Sequence, residues 1–245
     1  MTEKKPYLSP STAKMLLDYP LPVAFHKIHH RKGPSDAMIF GSLVDALVTE
    51  PEKIEKEFKI LEGDEANGHT KVGKEAKAKA LANNQTPVKV DVFNQAKMAS
   101  VAVMTHPEFL KLQAPEFQVK LEGSVSGVDS LGYADIVADD VILDLKVFNA
   151  QTFENPSRTI FNRKLHLQLW IYQQILRTNK RLGVMVCLSE EPYYTEIWWL
   201  DDDWLDLAQA QHRQAVEAYK EYLLFDPAHS VSGDSKTVHI EGWMK

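Results

Sequence analysis

Cysteine is almost missing from this chain of 245 residues: Cys187 stands alone, so no internal disulfide can form. A lone thiol inside the apolar run Val184-Met185-Val186-Cys187-Leu188 reads as a small buried hydrophobe, and a reducing cytoplasm is the expected compartment. Long apolar runs are also lacking. None approaches the roughly 18 residues that a membrane-crossing helix needs, so no membrane partner is expected, and Met1-Thr2-Glu3-Lys4-Lys5-Pro6 has no apolar signal-peptide core. No glycine-rich phosphate loop occurs, which argues against ATP use. No basic excess occurs either: 28 Lys and Arg face 34 Asp and Glu, a net charge of −6. That balance weighs mildly against a nucleic-acid partner, but it is uneven along the chain. Lys4, Lys5, Lys14, Lys27, Arg31 and Lys32 dominate the N-terminal stretch, while acids gather late, from Glu190 to Asp206. A basic groove on an acidic protein stays open.

What is present fits one globular domain. Hydrophobic residues make up 44% and charged residues 25%, near the averages for such proteins. Leu8-Ser9-Pro10-Ser11 reads as a helix start, with Ser9 as N-cap and Pro10 in the first turn, and the helix should stop before Pro20. A polar stretch, His26 to Ser35, follows. Helices are predicted at about 38–47, 72–83, 89–105, 159–178 and 203–223, the last opened by Asp201-Asp202-Asp203, acids that suit a helix N-terminus. Strand-like runs span 117–122, 132–137, 141–147, 182–188 and 193–200. The order predicts an α/β fold with a central mixed sheet flanked by helices. Residues 1–245 are taken as a single domain: a helical N-terminal portion (1–110), a sheet with its helices (117–225), and a tail (226–245).

The informative segment runs from Gly132 to Lys146. With Asp139-Asp140 as a two-residue turn, partner numbers sum to 279, so Ile136 faces Leu143 and Asp135 faces Asp144. Opposed side chains in an antiparallel pair have Cβ atoms about 4.5–5.5 Å apart, and two carboxylates that close repel unless something positive lies between them. Lys146, two residues past Asp144, points to the same side. Ala134, Ile136, Leu143, Leu145 and Val147 are assigned to the other, apolar side. Hard Mg2+ or Mn2+ takes one or two carboxylates together with water and phosphate oxygens, and a lysine beside it can orient a water and offset developing charge. Metal-assisted phosphodiester hydrolysis suits this set. The competing reading is a solvated hairpin with an ordinary Asp–Lys pair.

Context favours the chemistry. Ala134-Asp135, then Asp144-Leu145-Lys146, then Gln168-Leu-Trp-Ile-Tyr172 resembles, in order and spacing, the PD-(D/E)xK nuclease superfamily. The likeness is to its RecB-like branch, with phage recombination exonucleases and the RecE-type exodeoxyribonuclease VIII domain. Leu8-Ser-Pro-Ser-Thr-Ala-Lys14 and the Gly41 to Leu47 helix look like that family's N-terminal portion. The resemblance implies a restriction-endonuclease-like core and a Mg2+ ion (Mn2+ substituting) held by Asp135, Asp144 and the Leu145 carbonyl, with Lys146 positioning the attacking water. It further implies 5′ to 3′ resection of linear double-stranded DNA leaving 3′ overhangs, a single-strand annealing protein as partner, and a homo-oligomeric ring. Two departures stand out. Ala134 replaces a frequent Pro, and Asp45 replaces a frequent His ligand; Asp45 is either a ligand or simply polar surface. Glu122 joins the catalytic set only if Asp129-Ser130 forms the preceding turn. Gln168 and Tyr172 share a helix face that either holds DNA and orders the site or merely packs on core.

Other candidates carry less. His26, His29 and His30 lack a Cys or closing His pair at zinc spacing. Ser11, Lys14, Arg31 and Lys32 are candidate DNA-phosphate contacts, weighed against an ordinary N-terminal helix and a solvated loop. At least one of Trp198 and Trp199 should be core, since they alternate on a strand. Within the same fold, iron–sulfur nucleases usually add cysteines, which this chain lacks. A non-catalytic DNA-binding module would typically have lost the Lys or an Asp.

Overall fold

In the computed structural model, residues 7–226 are described. The tail assignment from 227 onward, with Gly242-Trp243, lies outside them. The chain opens with α1 (Pro10–Asp18), capped by Ser9, whose hydroxyl accepts from the Thr12 N–H. The chain between Pro20 and the polar stretch is helical: α2 spans Leu21–His29 and takes in the first four residues of that stretch, while His30 to Ser35 stay irregular. Pro20 and Pro22 do not prevent this, because Pro20 is the N-cap and Pro22 sits in the first turn, where no amide donor is needed. Then follow α3 (Asp36–Thr49), the short α4 (Ile54–Glu57), β1 (Phe58–Leu61), α5 (Lys71–Ala82), β2 (Thr86–Lys89), α6 (Val90–Met104) and the short α7 (Pro107–Leu110). β1 and β2 pair in parallel as a small separate sheet, joined through α5. Neither strand was anticipated; each is four residues long, too short to show an alternating pattern.

The main sheet has the order β3-β4-β5-β6-β7. It comprises β3 (Glu116–Val125), β4 (Val128–Val137), β5 (Val141–Phe148), β6 (Arg181–Leu188) and β7 (Thr195–Trp199). β5 and β6 are parallel and the other pairs antiparallel, so the sheet is mixed. The β5–β6 crossover carries α8 (Ala150–Phe153), α9 (Pro156–Arg163) and α10 (Leu165–Leu176). What reads as one helix over 159–178 is two, broken at Lys164, whose φ of 56° is left-handed. α11 (Asp202–Leu224) closes the described fold, its N-cap Asp201 accepting from the Trp204 N–H.

Both faces of the sheet are covered, which is why central β5 is apolar almost throughout. On one face, Phe40, Leu43 and Val44 of α3 and Ala96, Ala99 and Val103 of α6 pack on Leu145, Met185 and Cys187. On the other, Leu165, Leu169 and Tyr172 of α10 pack on Ala134, Ile142, Val184 and Trp198. α1 and α11 back α10 through Leu16, Ala208, Ala215 and Trp170.

The side-chain alternation breaks at one level of the sheet. Ala134 lies on the α10 face, yet Ile136, two residues on, lies on the opposite face with Leu143, Phe109 and Phe117. β3 switches in step: Val119 and Leu121 belong to the α10 side and Phe117 to the other. The residues at the switch are Gln118 and Asp135. Their neighbours pair on either side while they do not, and Gln118 has φ +48°. The expected apolar side of the hairpin, Ala134 with Ile136 and Leu143, is corrected accordingly: Ala134 faces α10.

Candidate active site

The β4–β5 register is the predicted one: Ile136 pairs with Leu143 and Val137 with Ile142, around the Asp139-Asp140 turn. The ladder then stops. In this register the Leu145 N–H would meet the Ala134 carbonyl. Instead it donates to Asp135 Oδ2 at 2.8 Å, so a side chain replaces the strand as acceptor where β4 splays from β5.

Into this opening three elements bring charge. Asp144 and Lys146 come from β5, Asp135 from β4, and Asp45 from α3. Lys146 Nζ lies 2.8 Å from Asp144 Oδ2 and 3.7 Å from Asp135 Oδ2, and donates to the Leu145 carbonyl at 3.0 Å. Asp144 is 1% exposed. Its Oδ1 accepts from Gln168 Nε2 at 2.6 Å, whereas Oδ2 accepts no aligned hydrogen bond. Gln168 also donates to the Tyr172 hydroxyl at 3.1 Å.

Three carboxylates share one ammonium, and the electrostatics reflect it. Burial pushes the Asp144 pKa up, Lys146 opposes and Asp135 adds to the rise, leaving it at about 7. Burial, then the charge of Asp135, also lifts Asp45 to about 7 against the pull of Lys146. Burial works against the Lys146 ammonium, but Asp144 and Asp135 outweigh it and its pKa rises. Burial first, then Asp144 and Asp135, raises Tyr172. The centre is short of positive charge.

These residues fit a hard divalent cation. Carboxylate and carbonyl oxygens are its preferred donors, and Asp144 Oδ2 is a buried oxygen with no aligned donor. Among the described residues no group of three His, Cys, Asp or Glu converges as a ready-made cage. Mg2+ does not require one, since it keeps several waters and takes one or two carboxylates.

The centre opens to a cleft of about 630 Å3 lined by Asp45, Asp135, Lys146, Asn149, Arg163 and Ser189, among others. Asp45 faces this cleft and accepts from Gln118 Nε2 at 3.0 Å. Glu122 is corrected. The β3–β4 turn is Ser126-Gly127, both with positive φ, as a two-residue hairpin turn requires. The register puts Glu122 opposite Leu131, where it is exposed and paired with Lys120 at 2.9 Å, away from the cleft. The DNA-contact assignment of Tyr172 is also corrected: at 4% exposure it packs against Gly132, where an added Cβ would sit 2.4 Å from its Cε1. Gln168 spends its amide on Asp144 and Tyr172. Ser11 and Lys14 lie outside the cleft lining; Lys14 donates to the Asn162 carbonyl at 2.8 Å and Arg31 to Ser11 at 3.2 Å. Arg31 and Lys32 are exposed. Trp198 is core, and Trp199 is only half-buried, with the Arg181 guanidinium 3.6 Å above its ring. Sequence reasoning missed Gln118, which touches Asp45 and Asp135; nothing in the pattern marked it.

A five-stranded mixed sheet with an acid and an acid-x-lysine step on adjacent strands defines a PD-(D/E)xK-type protein. Residues 21–229 match the family described as PDDEXK-like domain of unknown function (DUF3799), and the chain belongs to that family. No curated protein matches the sequence. Among solved structures, a protein from Eubacterium rectale described as a candidate exonuclease superposes with a TM-score of 0.60 at 16% identity, covering 95% of this chain and 91% of that one. The alkaline exonuclease LHK-Exo from Laribacter hongkongensis gives 0.44 at 9% identity, over 89% and 91%. At these identities the first likeness concerns the fold, and the second carries no argument. No helix among the described residues is long and apolar enough to cross a membrane.

Proposed function

We propose that this protein is a divalent-metal-dependent deoxyribonuclease, and specifically an exonuclease degrading linear duplex DNA. The observation that carries the proposal is the convergence of Asp135, Asp144 and Lys146 with the Leu145 carbonyl at the head of an open cleft. Asp135, Asp144 and the Leu145 carbonyl would hold the ion, with Asp45 as a further carboxylate. Mg2+ is the expected ion and Mn2+ a substitute. When bound, such an ion supplies Lewis acidity and charge compensation for phosphodiester cleavage.

The chain's own groups do the rest. Lys146 keeps its proton, because Asp144 and Asp135 favour the ammonium; it orients the attacking water by donating to it and screens charge growing on the phosphate. Gln168 fixes the Asp144 carboxylate through Oδ1, leaving Oδ2 directed at the centre. Arg163, Asn149 and Ser189 on the cleft wall offer donors to neighbouring phosphates of the strand. Lys14 reaches α9 through the Asn162 carbonyl and Arg31 reaches Ser11 on α1; with Lys32 they would extend that donor surface. By resemblance the reading includes 5′ to 3′ polarity, 3′ overhangs, a ring of identical subunits and a single-strand annealing partner.

The test is digestion of end-labelled linear duplex with Mg2+, Mn2+ or chelator, beside a closed circle of the same sequence. Release of nucleotides from linear DNA alone, abolished by chelator and by Lys146→Ala, is expected. Undiminished digestion by Lys146→Ala would refute the assignment.

A further inference from the structure

Gln118 sits at the point where β3 and β4 exchange faces, unpaired with its opposite, Asp135. Its φ of +48° is a conformation that glycine takes freely and glutamine does not. An outlier of this kind next to a charged centre asks what it positions. The side chain answers: Nε2 lies 3.0 and 3.3 Å from the two oxygens of Asp45, 3.5 Å from Asp135 Oδ1 and 3.3 Å from Thr49 Oγ1. An amide nitrogen has only two protons, so they are shared among these acceptors.

Asp45 and Asp135 come from separate elements, α3 and β4, and their charges repel; each raises the case for the other's displacement. Gln118 is the neutral donor between them. Thr49, one turn along α3, donates its hydroxyl to the Asp45 backbone carbonyl at 2.9 Å, leaving its oxygen open to the Gln118 amide. The left-handed step in β3 is what turns the Gln118 side chain out of either sheet face and into this gap.

We propose that Gln118 is a positioning residue of the metal centre: its carboxamide, presented by a left-handed residue in β3, clamps Asp45 against Asp135 so that both carboxylates serve one divalent ion. The proposal rests on the nuclease reading for the purpose of that ion, but its primary test is binding. Losing an outer partner of a metal-binding carboxylate typically costs about 10–100-fold in metal affinity.

Two variants of the full chain separate this from a folding role. Gln118→Gly removes the donor but accepts φ +48° without strain, so relief of strain offsets part of the lost hydrogen bonding and the metal-free protein should still fold, with a Tm within a few degrees of the wild type. Gln118→Met keeps the length and bulk but cannot donate. Mn2+ binding followed by calorimetry, and the Mg2+ concentration giving half-maximal cleavage of linear duplex, are measured for each. Both variants should bind Mn2+ about 10-fold or more weakly and need correspondingly more Mg2+, while cleavage at saturating metal falls by less than the affinity does. Wild-type Mn2+ affinity in both variants overturns the proposal, as does weakening confined to Gln118→Gly, which would mean that bulk alone matters. A wild-type protein that binds Mn2+ without cutting DNA defeats the nuclease reading and leaves the Gln118 comparison intact; absence of Mn2+ binding by the wild type defeats both.

Discussion

Replacing Asp144 with asparagine should make the metal-free protein more stable while disabling it. Asp144 is buried in the central strand and shares one ammonium with Asp135 and Asp45. Its pKa stands at about 7 in place of 3.8. The difference, 7 − 3.8, is about 3 units, so keeping this carboxylate ionised at pH 8 withdraws about 4 kcal/mol from folding at about 1.4 kcal/mol per unit. Asparagine escapes that penalty. Its Oδ1 can still accept from Gln168, and Lys146 retains Asp135. The new amide hydrogens face an ammonium, however, and an unmatched buried donor costs about 1–3 kcal/mol. A net gain of about 1–3 kcal/mol remains, worth about 2–12 °C in Tm for a chain of this size.

The sign of the pH dependence makes the test specific. For an acid whose folded pKa is raised, both states hold the proton below about pH 3.8, and no stability is lost there. Between about 3.8 and 7 the unfolded chain releases its proton first, so stability falls with rising pH, and above about 7 the loss is constant. Thermal unfolding in chelator should therefore show Asp144→Asn close to wild type at pH 5 and clearly above it at pH 8. Adding Mg2+ at about 100 times its dissociation constant should stabilise wild type by about 2.7 kcal/mol and the variant far less. A variant less stable than wild type at pH 8 in chelator, or a gap that does not widen from pH 5 to pH 8, would refute the picture of a centre short of positive charge.

Other expectations follow from the packing. Gly132→Ala drives a methyl into the Tyr172 ring; it should cost about 1–3 kcal/mol in chemical denaturation and slow cleavage, because Tyr172 and Gln168 together orient Asp144. His212 is buried, with Nε2 unpartnered and its pKa pushed down to about 4 by burial. Its folded pKa is depressed, so its contribution is present above about pH 6.5 and is lost as pH falls through about 4. His212→Phe should flatten the acid limb of a Tm-against-pH curve over that window. Cys187, fully buried with its thiol pushed up to about 12 by burial, should resist alkylation in the native state and react on unfolding, which mass spectrometry reads directly.

The sequence made much of the centre legible because strands obey a period of two and hairpin turns set the register. Fixing the turn at Asp139-Asp140 places Asp135 and Asp144 on facing strands and Lys146 beside them, and a charged step inside the otherwise apolar Val141–Phe148 marks a buried strand with a task. The β3–β4 register was misread because the turn is Ser126-Gly127 in place of Asp129-Ser130, which moves Glu122 along the strand to face Leu131. The helix α2 was hidden because prolines that end one helix also start the next. The face exchange at Gln118 and Asp135 was illegible in principle from alternation, since it is a break in alternation. It explains how Ala134 and Ile136 can both be fully buried on opposite sides of the sheet.

That break also gives Asp135 two duties, which substitution can separate. Its carboxylate is a candidate metal ligand, and its Oδ2 is the acceptor for the Leu145 N–H that the splayed strand has abandoned. Asparagine at 135 removes the charge but can still accept that bond; alanine removes both. Each variant relieves repulsion with Asp45 and Asp144 to the same degree, so their difference isolates the backbone bond, and a part-buried N–H left without an acceptor costs about 1–3 kcal/mol. Asp135→Asn should therefore be more stable than Asp135→Ala by that amount in urea unfolding with chelator, while both lose metal-dependent cleavage. Faster hydrogen exchange at the Leu145 amide should appear only in the alanine variant. Equal stability and equal exchange in the two would mean that β4 re-closes onto β5 when the carboxylate goes, and that the opening is held by something other than Asp135.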